Sequence, residues 1–169
     1  MLVALDGPGS AWRGAFDALM PRLSLETQFG RLTLSEEDGS IVELTWGGRA
    51  SGRPTPALLD AKKQLLEYFA GRRKEFDLPL KLEGQPAALR VWQLMAEIPY
   101  GQTRTYGDLG KVLGLSPRFV GQACGSNPLP IFVPCHRVVG SNGALGGYSG
   151  GEGAETKRRL LQLEHALLL

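Results

Sequence analysis

A cysteine and a histidine are adjacent in the stretch PIFVPCHRVVGSNG, residues 130–143. The chain has only 2 cysteines and 2 histidines among 169 residues, so two rare residue types are adjacent at Cys135 and His136. A thiol becomes a strong nucleophile as its thiolate, and a nearby imidazole can accept the proton. Because consecutive residues of a strand point to opposite faces, contact between the two side chains would require a turn or a bridging water. The pair predicts a cysteine nucleophile with a histidine base.

An imidazole that acts as a base needs a carboxylate to hold its orientation. Three glutamates follow the Cys–His pair, at Glu152, Glu155 and Glu164. Of these, Glu164 is the one that lies in a predicted helix, TKRRLLQLEHALLL (156–169), and a helix gives the rigid support that an orienting group needs. We therefore expect Glu164 to orient His136.

Two less reactive interpretations of these residues stay open on the sequence alone. Free cysteines are among the most buried residues in proteins, so Cys135 is also compatible with a purely structural thiol. Cys124, Cys135, His136 and His165 are four possible zinc ligands, but their spacing matches no compact zinc module. We predict neither a metal site nor a cofactor.

Two short helices are predicted just before this stretch. TYGDLGKVLG (105–114) begins with Thr105 and Asp108 in capping-box spacing, and SPRFVGQACGS (116–126) begins with Ser-Pro. A tight turn between them predicts a helix-turn-helix. The second helix is rich in small residues, and Arg118 is its one long cation, so it cannot read many bases and would instead lie close to a backbone or narrow groove. The alternative is that the helix pair is scaffolding and Arg118 a solvated charge.

The first half of the chain has a different pattern. Residues 1–22 show little periodicity and predict a loosely ordered leader. Residues 23–48 alternate like strands, with Asp38-Gly39 as a hairpin turn. A helix follows, capped by Thr55 and ended by Gly71, and then a short strand over 76–82. We expect an N-terminal α/β domain over 23–83 and a second domain over 84–169.

Composition narrows the class of protein. The net charge is +2, and residues 101–169 carry 7 Lys/Arg against 4 Asp/Glu, which weakly favours an anionic partner for the half that contains Cys135. No apolar run is long enough to cross a membrane, and the first residues do not resemble a signal peptide. Two cysteines give no disulfide framework, so we expect a cytoplasmic protein. The predicted helix-turn-helix adds the expectation that this protein has access to DNA.

The motifs NPLPIFVPCHRV, TYGDL, RFVGQACGS and GGYSGG together resemble those of the O6-alkylguanine-DNA alkyltransferases, over roughly residues 84–166. The resemblance implies an α/β protein, with an N-terminal ribonuclease-H-like domain of sheet plus helix and a mostly helical C-terminal domain that carries a winged-helix-like helix-turn-helix. It implies a monomer that flips O6-alkylguanine, or as a second candidate O4-alkylthymine, out of double-stranded DNA. The alkyl group would pass irreversibly to Cys135, once per molecule.

The resemblance also implies a role for each residue of the reacting centre. Cys135 accepts the alkyl group, His136 deprotonates it through a water, and Glu164 orients His136. Tyr106 crowds the target phosphate and lends its hydroxyl to the base. Some members of the family bind zinc in the N-terminal domain, but residues 1–100 here contain no Cys and no His, so we do not expect that zinc.

The remaining roles implied by the resemblance concern DNA and the base pocket. Arg118 fills the gap left by the flipped base, and the second helix enters the minor groove. The implied DNA-binding residues are Thr105, Tyr106, Arg118, Gly121, Ala123 and Ser126. Asn127 acts as a hinge, and the backbone carbonyls of Cys135 and Val138 receive the guanine amino group. The implied substrate pocket consists of Asn127, Pro130, Val138, Tyr148 and Ser149.

Three rival functions stay open. A relative that binds alkylated DNA without repairing it would not need Cys135. A cysteine hydrolase built on Cys135, His136 and Glu164 would turn over and would not need Arg118. A plain DNA-binding regulator would tolerate replacement of the cysteine.

Overall fold

The computed structural model describes residues 20–167; the predicted leader therefore lies almost wholly outside the described residues. An antiparallel sheet of three strands in the order β1-β2-β3 opens this part of the chain. Its strands are β1 (Arg22–Thr27), β2 (Gly30–Glu37) and β3 (Ser40–Trp46). The hairpin between β2 and β3 turns at Asp38 and Gly39, whose φ angles of 49° and 81° are those that a tight two-residue turn requires. The predicted hairpin is confirmed.

One helix, α1 (Pro56–Phe69), packs on this sheet. Thr55 begins it as predicted, since its hydroxyl accepts the Leu58 backbone N–H at 3.2 Å. The helix turns its apolar face to the sheet, and this face includes Leu58, Ala61, Leu65, Tyr68 and Phe69. The strand predicted over 76–82 is wrong: its pairing is one isolated bridge between Leu80 and Ile41. Pro79 has no N–H to extend the ladder, which explains why pairing stops there.

The second half is mostly helical. Its helices are α2 (Pro86–Ala96), α3 (Tyr106–Leu113), α4 (Pro117–Gly125) and α5 (Ala154–Leu163), and a parallel pair of two-residue strands, β4 (Arg104–Thr105) and β5 (Val138–Val139), joins them. The last helix is shorter than predicted, since it ends at Leu163. Glu164 thus lies at its C-terminal end instead of in its interior.

Helices α3 and α4 form the predicted helix-turn-helix. The capping box is present: the Asp108 N–H donates to Thr105 Oγ1 at 3.0 Å, and the Thr105 N–H donates to Asp108 Oδ2 at 2.9 Å. The turn needs a glycine inside α3, because a Cβ on Gly110 would lie 2.5 Å from the Leu115 carbonyl oxygen. Capping and turn residues that lie close together in the sequence therefore determine the helix-turn-helix.

The sheet, α1 and the helical half share one buried core. A backbone bond from the Leu44 N–H to the Pro128 carbonyl, 2.9 Å long, joins β3 to the segment before Cys135. Among residues 20–167, no helix is long and apolar enough to cross a membrane. The division of the chain at residue 83 stays a prediction.

Candidate active site

The segment that carries Cys135 is held in an unusual backbone conformation. Ile131 is fully buried with a φ of 75°, a value that β-branched residues rarely adopt. Asn127 braces this conformation from both sides: its Nδ2 donates to the Val133 carbonyl at 2.8 Å, and its Oδ1 accepts the Leu129 N–H at 3.0 Å. The predicted hinge residue therefore joins the end of the helix-turn-helix to the reactive segment.

Residues Cys135–Arg137 form one turn of 3₁₀ helix, not an extended strand. Adjacent side chains on a strand would point to opposite faces of a sheet and could not meet. The turn removes this obstacle for Cys135 and His136. Both side chains are buried: Cys135 is 6% exposed and His136 is inaccessible.

Glu164 accepts hydrogen bonds from three residues in two parts of the chain. Its Oε1 lies 2.8 Å from His136 Nε2 and accepts from Arg137 Nη2 at 2.8 Å and from the Tyr68 hydroxyl at 2.6 Å. Its Oε2 accepts from Arg137 Nε at 2.9 Å. Oε1 therefore accepts from three groups and Oε2 from one, which suits an ionised carboxylate, whose two oxygens only accept. The predicted pairing of His136 with Glu164 is therefore present in the structure.

The partners of His136 assign its tautomer. Glu164 can only accept, so Nε2 carries the proton and donates to it. Nδ1 is left as an acceptor; it is buried and has no hydrogen-bond partner in the structure. An unpaired buried acceptor is costly, so it marks the point where a proton can be received.

Burial sets the protonation states. Burial lowers the pKa of His136 from its ordinary value, against the opposing effect of Glu164, so the imidazole is neutral. Burial also raises the pKa of the Cys135 thiol, which therefore rests protonated. Burial works against ionisation of Glu164 too, but the bonds from His136 and Arg137 outweigh it and lower the pKa of Glu164 to about 2. At rest the base is therefore neutral and the thiol protonated, and the base is held by a negatively charged carboxylate.

Lys157, a residue that sequence reasoning did not select, is 1% exposed and lies next to this centre. Its Nζ donates to the Val138 carbonyl at 2.5 Å, to the Tyr106 hydroxyl at 3.3 Å and to the Gly146 carbonyl at 3.4 Å. Burial lowers the pKa of Lys157, while burial raises that of Tyr106 to about 12. The Tyr106 hydroxyl is therefore protonated and lies beside a buried amine.

The segment after Gly147 forms another wall of the site and rests on the N-terminal sheet. The Tyr148 and Trp46 rings meet in a T-shaped contact with centroids 6.0 Å apart, and the buried hydroxyl of Tyr148 has no partner in the structure. A Cβ on Gly150 would lie 2.5 Å from the Trp46 ring, so this close contact requires glycine. Ser149 is exposed and donates to the Gly125 carbonyl at 3.3 Å, which ties this segment to the end of α4.

Two family models match the chain. One described as "6-O-methylguanine DNA methyltransferase, DNA binding domain" matches residues 86–166, and one described as the "ribonuclease-like domain" of the same protein matches residues 22–82. The constitutive methylated-DNA–protein-cysteine methyltransferase of Bacillus subtilis (strain 168) is 46% identical over 153 residues, which cover 82% of this chain and 92% of that protein.

The chain belongs to the 6-O-methylguanine DNA methyltransferase family.

Other members agree with this assignment. The methylated-DNA–protein-cysteine methyltransferase of Mycobacterium bovis is 41% identical over 150 residues, 83% of this chain and 90% of that protein. The crystal structure of Mycobacterium tuberculosis OGT in complex with DNA superposes with a TM-score of 0.77 at 40% identity, covering 86% of this chain and 92% of that one. The predicted α/β fold class, with its ribonuclease-like and DNA-binding parts, is confirmed for this methyltransferase.

In this methyltransferase most of the predicted DNA-binding residues reach the surface of the helix-turn-helix. Arg118 and Ser126 are exposed, while Thr105, Tyr106 and Gly121 are half-buried. Ala123 is the exception, because it is 4% exposed and packs in the core, where its carbonyl accepts the Trp92 indole N–H. The prediction that Ala123 contacts DNA is wrong: on a short helix of small residues, spacing alone did not separate the inner face from the outer one.

The substrate pocket of Asn127, Pro130, Val138, Tyr148 and Ser149 stays a prediction, to which the structure adds one constraint. The Val138 carbonyl, predicted to receive the guanine amino group, already accepts Lys157 Nζ, and the Cys135 carbonyl accepts the Val138 N–H. A carbonyl oxygen has two lone pairs, so each keeps one acceptor position. Among the described residues, no group of three or more His, Cys, Asp or Glu side chains is placed to hold a metal ion, and His165 is exposed.

Tyr68, Arg137 and Lys157 belong to the site but were not predicted. For Lys157 a signal existed, because it lies on the same helical face as Leu160, Leu161 and Glu164. Tyr68 carries no comparable signal, since its partner Glu164 is 96 residues further along the chain.

Proposed function

We propose that this protein repairs double-stranded DNA by transferring the alkyl group from O6 of guanine, or from O4 of thymine as a second lesion, to Sγ of Cys135. The observation that carries the proposal is the buried series Cys135, His136 and Glu164 beside a helix-turn-helix, with His136 Nδ1 available as an acceptor. Its relatives bear the name methylated-DNA–protein-cysteine methyltransferase, which supports it.

The first step is deprotonation of the thiol. The Cys135 proton passes through a water to His136 Nδ1, and the Nε2–H bond to Glu164 Oε1 stabilises the imidazolium that forms. Because burial holds the thiol protonated, Cys135 depends on this base for its reactivity.

The second step moves the alkyl group. The Cys135 thiolate attacks the sp³ carbon on O6, a sulfur–carbon bond forms, and the carbon–oxygen bond breaks with its electron pair on the base. Tyr106 donates its hydroxyl proton to the departing base, and Lys157, which donates to the Tyr106 oxygen at 3.3 Å, stabilises the charge left on that oxygen. The imidazolium supplies the proton that restores neutrality, so the products are guanine and S-alkylcysteine.

The product is a thioether, which water does not cleave. A thioester, as in cysteine hydrolases, would be hydrolysed, and the enzyme would turn over. The protein therefore acts once, and its activity is counted in lesions removed per molecule.

DNA must present the lesion outside the base stack, because a buried carbon cannot be reached within a duplex. We place Gly121 and the exposed C-terminal end of α4 in the minor groove and Arg118 in the gap left by the extruded nucleotide, as the exposure of Arg118 allows. Extrusion costs a few kcal/mol, and less for a damaged pair. Phosphate contacts dominate affinity in this arrangement, so binding weakens with salt and shows little sequence preference. We propose that one monomer acts on one lesion.

The test is a nucleoside count. A duplex with one O6-methylguanine is incubated in excess over protein, digested and separated by chromatography. We expect guanine to replace O6-methylguanine up to one equivalent of protein and then stop, with Cys124→Ser unchanged and Cys135→Ser inactive. Continued conversion would mean a turning-over enzyme, and tight binding without conversion would mean a lesion-binding protein; either outcome rejects the proposal.

A further inference from the structure

The N-terminal helix α1 contributes one polar group to the reacting centre of the other half of the chain. The Tyr68 side chain is fully buried, and its hydroxyl donates to Glu164 Oε1 at 2.6 Å, a short bond to a charged acceptor. The same oxygen lies 2.8 Å from His136 Nε2. One atom of Glu164 thus joins a residue of α1 to the base that activates Cys135.

Glu164 needs such a donor because of where it lies. It follows the last residue of α5, where unpaired carbonyls give the helix end a partial negative charge that disfavours a carboxylate. It is also 1% exposed, so water cannot compensate. Arg137 supplies two of the donors and reaches the Ile98 carbonyl with a third N–H. Tyr68, on α1, donates a further bond to Oε1 and holds this oxygen in place.

Packing alone does not require the Tyr68 hydroxyl. The ring packs against Phe69, Phe76 and Tyr100, with centroids 5.5, 5.3 and 6.2 Å away. Phenylalanine would make the same ring contacts. The hydroxyl adds a polar atom to a buried aromatic cluster, and burial together with Glu164 raises its pKa well above the usual value, so it remains a donor at every working pH.

We propose that Tyr68 is a positioning residue for alkyl transfer, whose hydroxyl holds Glu164 in the orientation that keeps His136 Nδ1 directed at the Cys135 thiol. The inference rests on the proposed function. It gives the N-terminal half a part in the chemistry, because α1 would set, through Glu164, how fast the thiol is deprotonated.

The pH profile of Cys135 reports this role. Tyr68 withdraws part of the negative charge of Glu164, so its removal leaves more charge on the bond to His136 and raises the pKa of the imidazole. The other ionisable groups around the pair stay in place in Tyr68→Phe: Arg137 and Tyr100 near Glu164, Lys157 near His136. The acid limb of the profile should therefore move to higher pH by about half a unit to one unit.

The experiment measures two reactions of each full-length protein across pH. One is single-turnover methyl transfer from a duplex with O6-methylguanine, and the other is alkylation by iodoacetamide, read at Cys135 by peptide mass. For Tyr68→Phe we expect methyl transfer to slow about tenfold, less than the loss that follows a 1 Å misplacement of reacting groups. The acid limb of the pH profile should move to higher pH in both reactions.

Phe76→Leu is the matched control. It removes packing against the Tyr68 and Phe132 rings but no polar contact to Glu164, so it should lower the melting temperature and leave the pH midpoint in place. If the Tyr68→Phe protein keeps the wild-type pH midpoint, the inference is overturned, whatever the rate of the variant. The proposed function still stands in that case, because the wild-type protein transfers methyl. Failure of the wild type to transfer methyl would instead reject the proposed function itself.

Discussion

Replacing Glu164 by glutamine should remove the negative charge behind His136 without reversing the tautomer of the imidazole. In the native protein Oε1 accepts three bonds, from Arg137 Nη2, Tyr68 and His136, while Oε2 accepts one, from Arg137 Nε. The amide oxygen should therefore take the place of Oε1 and the amide NH₂ the place of Oε2. His136 Nδ1 stays an acceptor, but the imidazolium that forms is no longer stabilised by a negative charge.

The size of this effect follows from two sources. Loss of one preorganised group that stabilises charge in the transition state costs about 10²- to 10³-fold in rate. The pKa of Glu164, about 2 in the folded protein against an ordinary 4.5, corresponds to about 3 kcal/mol of stability. Because this pKa is lowered by folding, that stability is complete above about pH 4.5 and is lost as pH falls toward 2.

The assay is single-turnover methyl transfer with protein in excess, from pH 5.5 to 9, beside thermal unfolding. The Glu164→Gln protein should react about 10²- to 10³-fold more slowly at neutral pH. Its acid limb should move to lower pH, because Glu164 raises the pKa of His136. Glu155→Gln, on the exposed side of α5, is the matched control and should change neither property. A Glu164→Gln rate within tenfold of wild type and with the same pH profile would refute the reasoning.

Three further predictions concern residues around the thiol and the DNA face. Lys157→Met should slow transfer about 10- to 100-fold, since single preorganised donors contribute about that much or more, while Arg158→Met, its exposed neighbour, should react normally; equal rates for the two variants would contradict the role given to Lys157. Arg118→Ala should slow transfer from duplex DNA but leave iodoacetamide alkylation of Cys135 unchanged; a parallel loss in both reactions would mean a folding defect. Methylation of Cys135 should lower the melting temperature by several degrees, because an added methyl in a packed site costs about 1–3 kcal/mol; calorimetry showing no change would contradict the tight packing of the thiol.

The sequence predicted features whose causes are local. Thr55, Thr105 and Ser116 all begin helices as expected, because a cap depends on residues three positions apart. The pairing of Cys135 with a histidine base and a glutamate could also be predicted. Cys135 and His136 are adjacent, and the glutamate lies at the end of a helix that follows them.

What the sequence could not show depends on contacts between distant residues. The bond from Tyr68 to Glu164 spans 96 positions and has no periodic signature. The burial of Ala123 depends on how α4 is rotated against α2, which small residues do not reveal. The turn at Cys135–Arg137 depends on the strained Ile131 and on the Asn127 brace, neither of which the apolar run around Cys135 reveals.

The most direct test of the account is intact-protein mass spectrometry after incubation with excess duplex that contains O6-methylguanine, followed by peptide mapping. The account predicts a gain of one methyl group per molecule, saturating there, located on Cys135 and absent from Cys135→Ser. No gain in mass, or a methyl group on any residue other than Cys135, would contradict it.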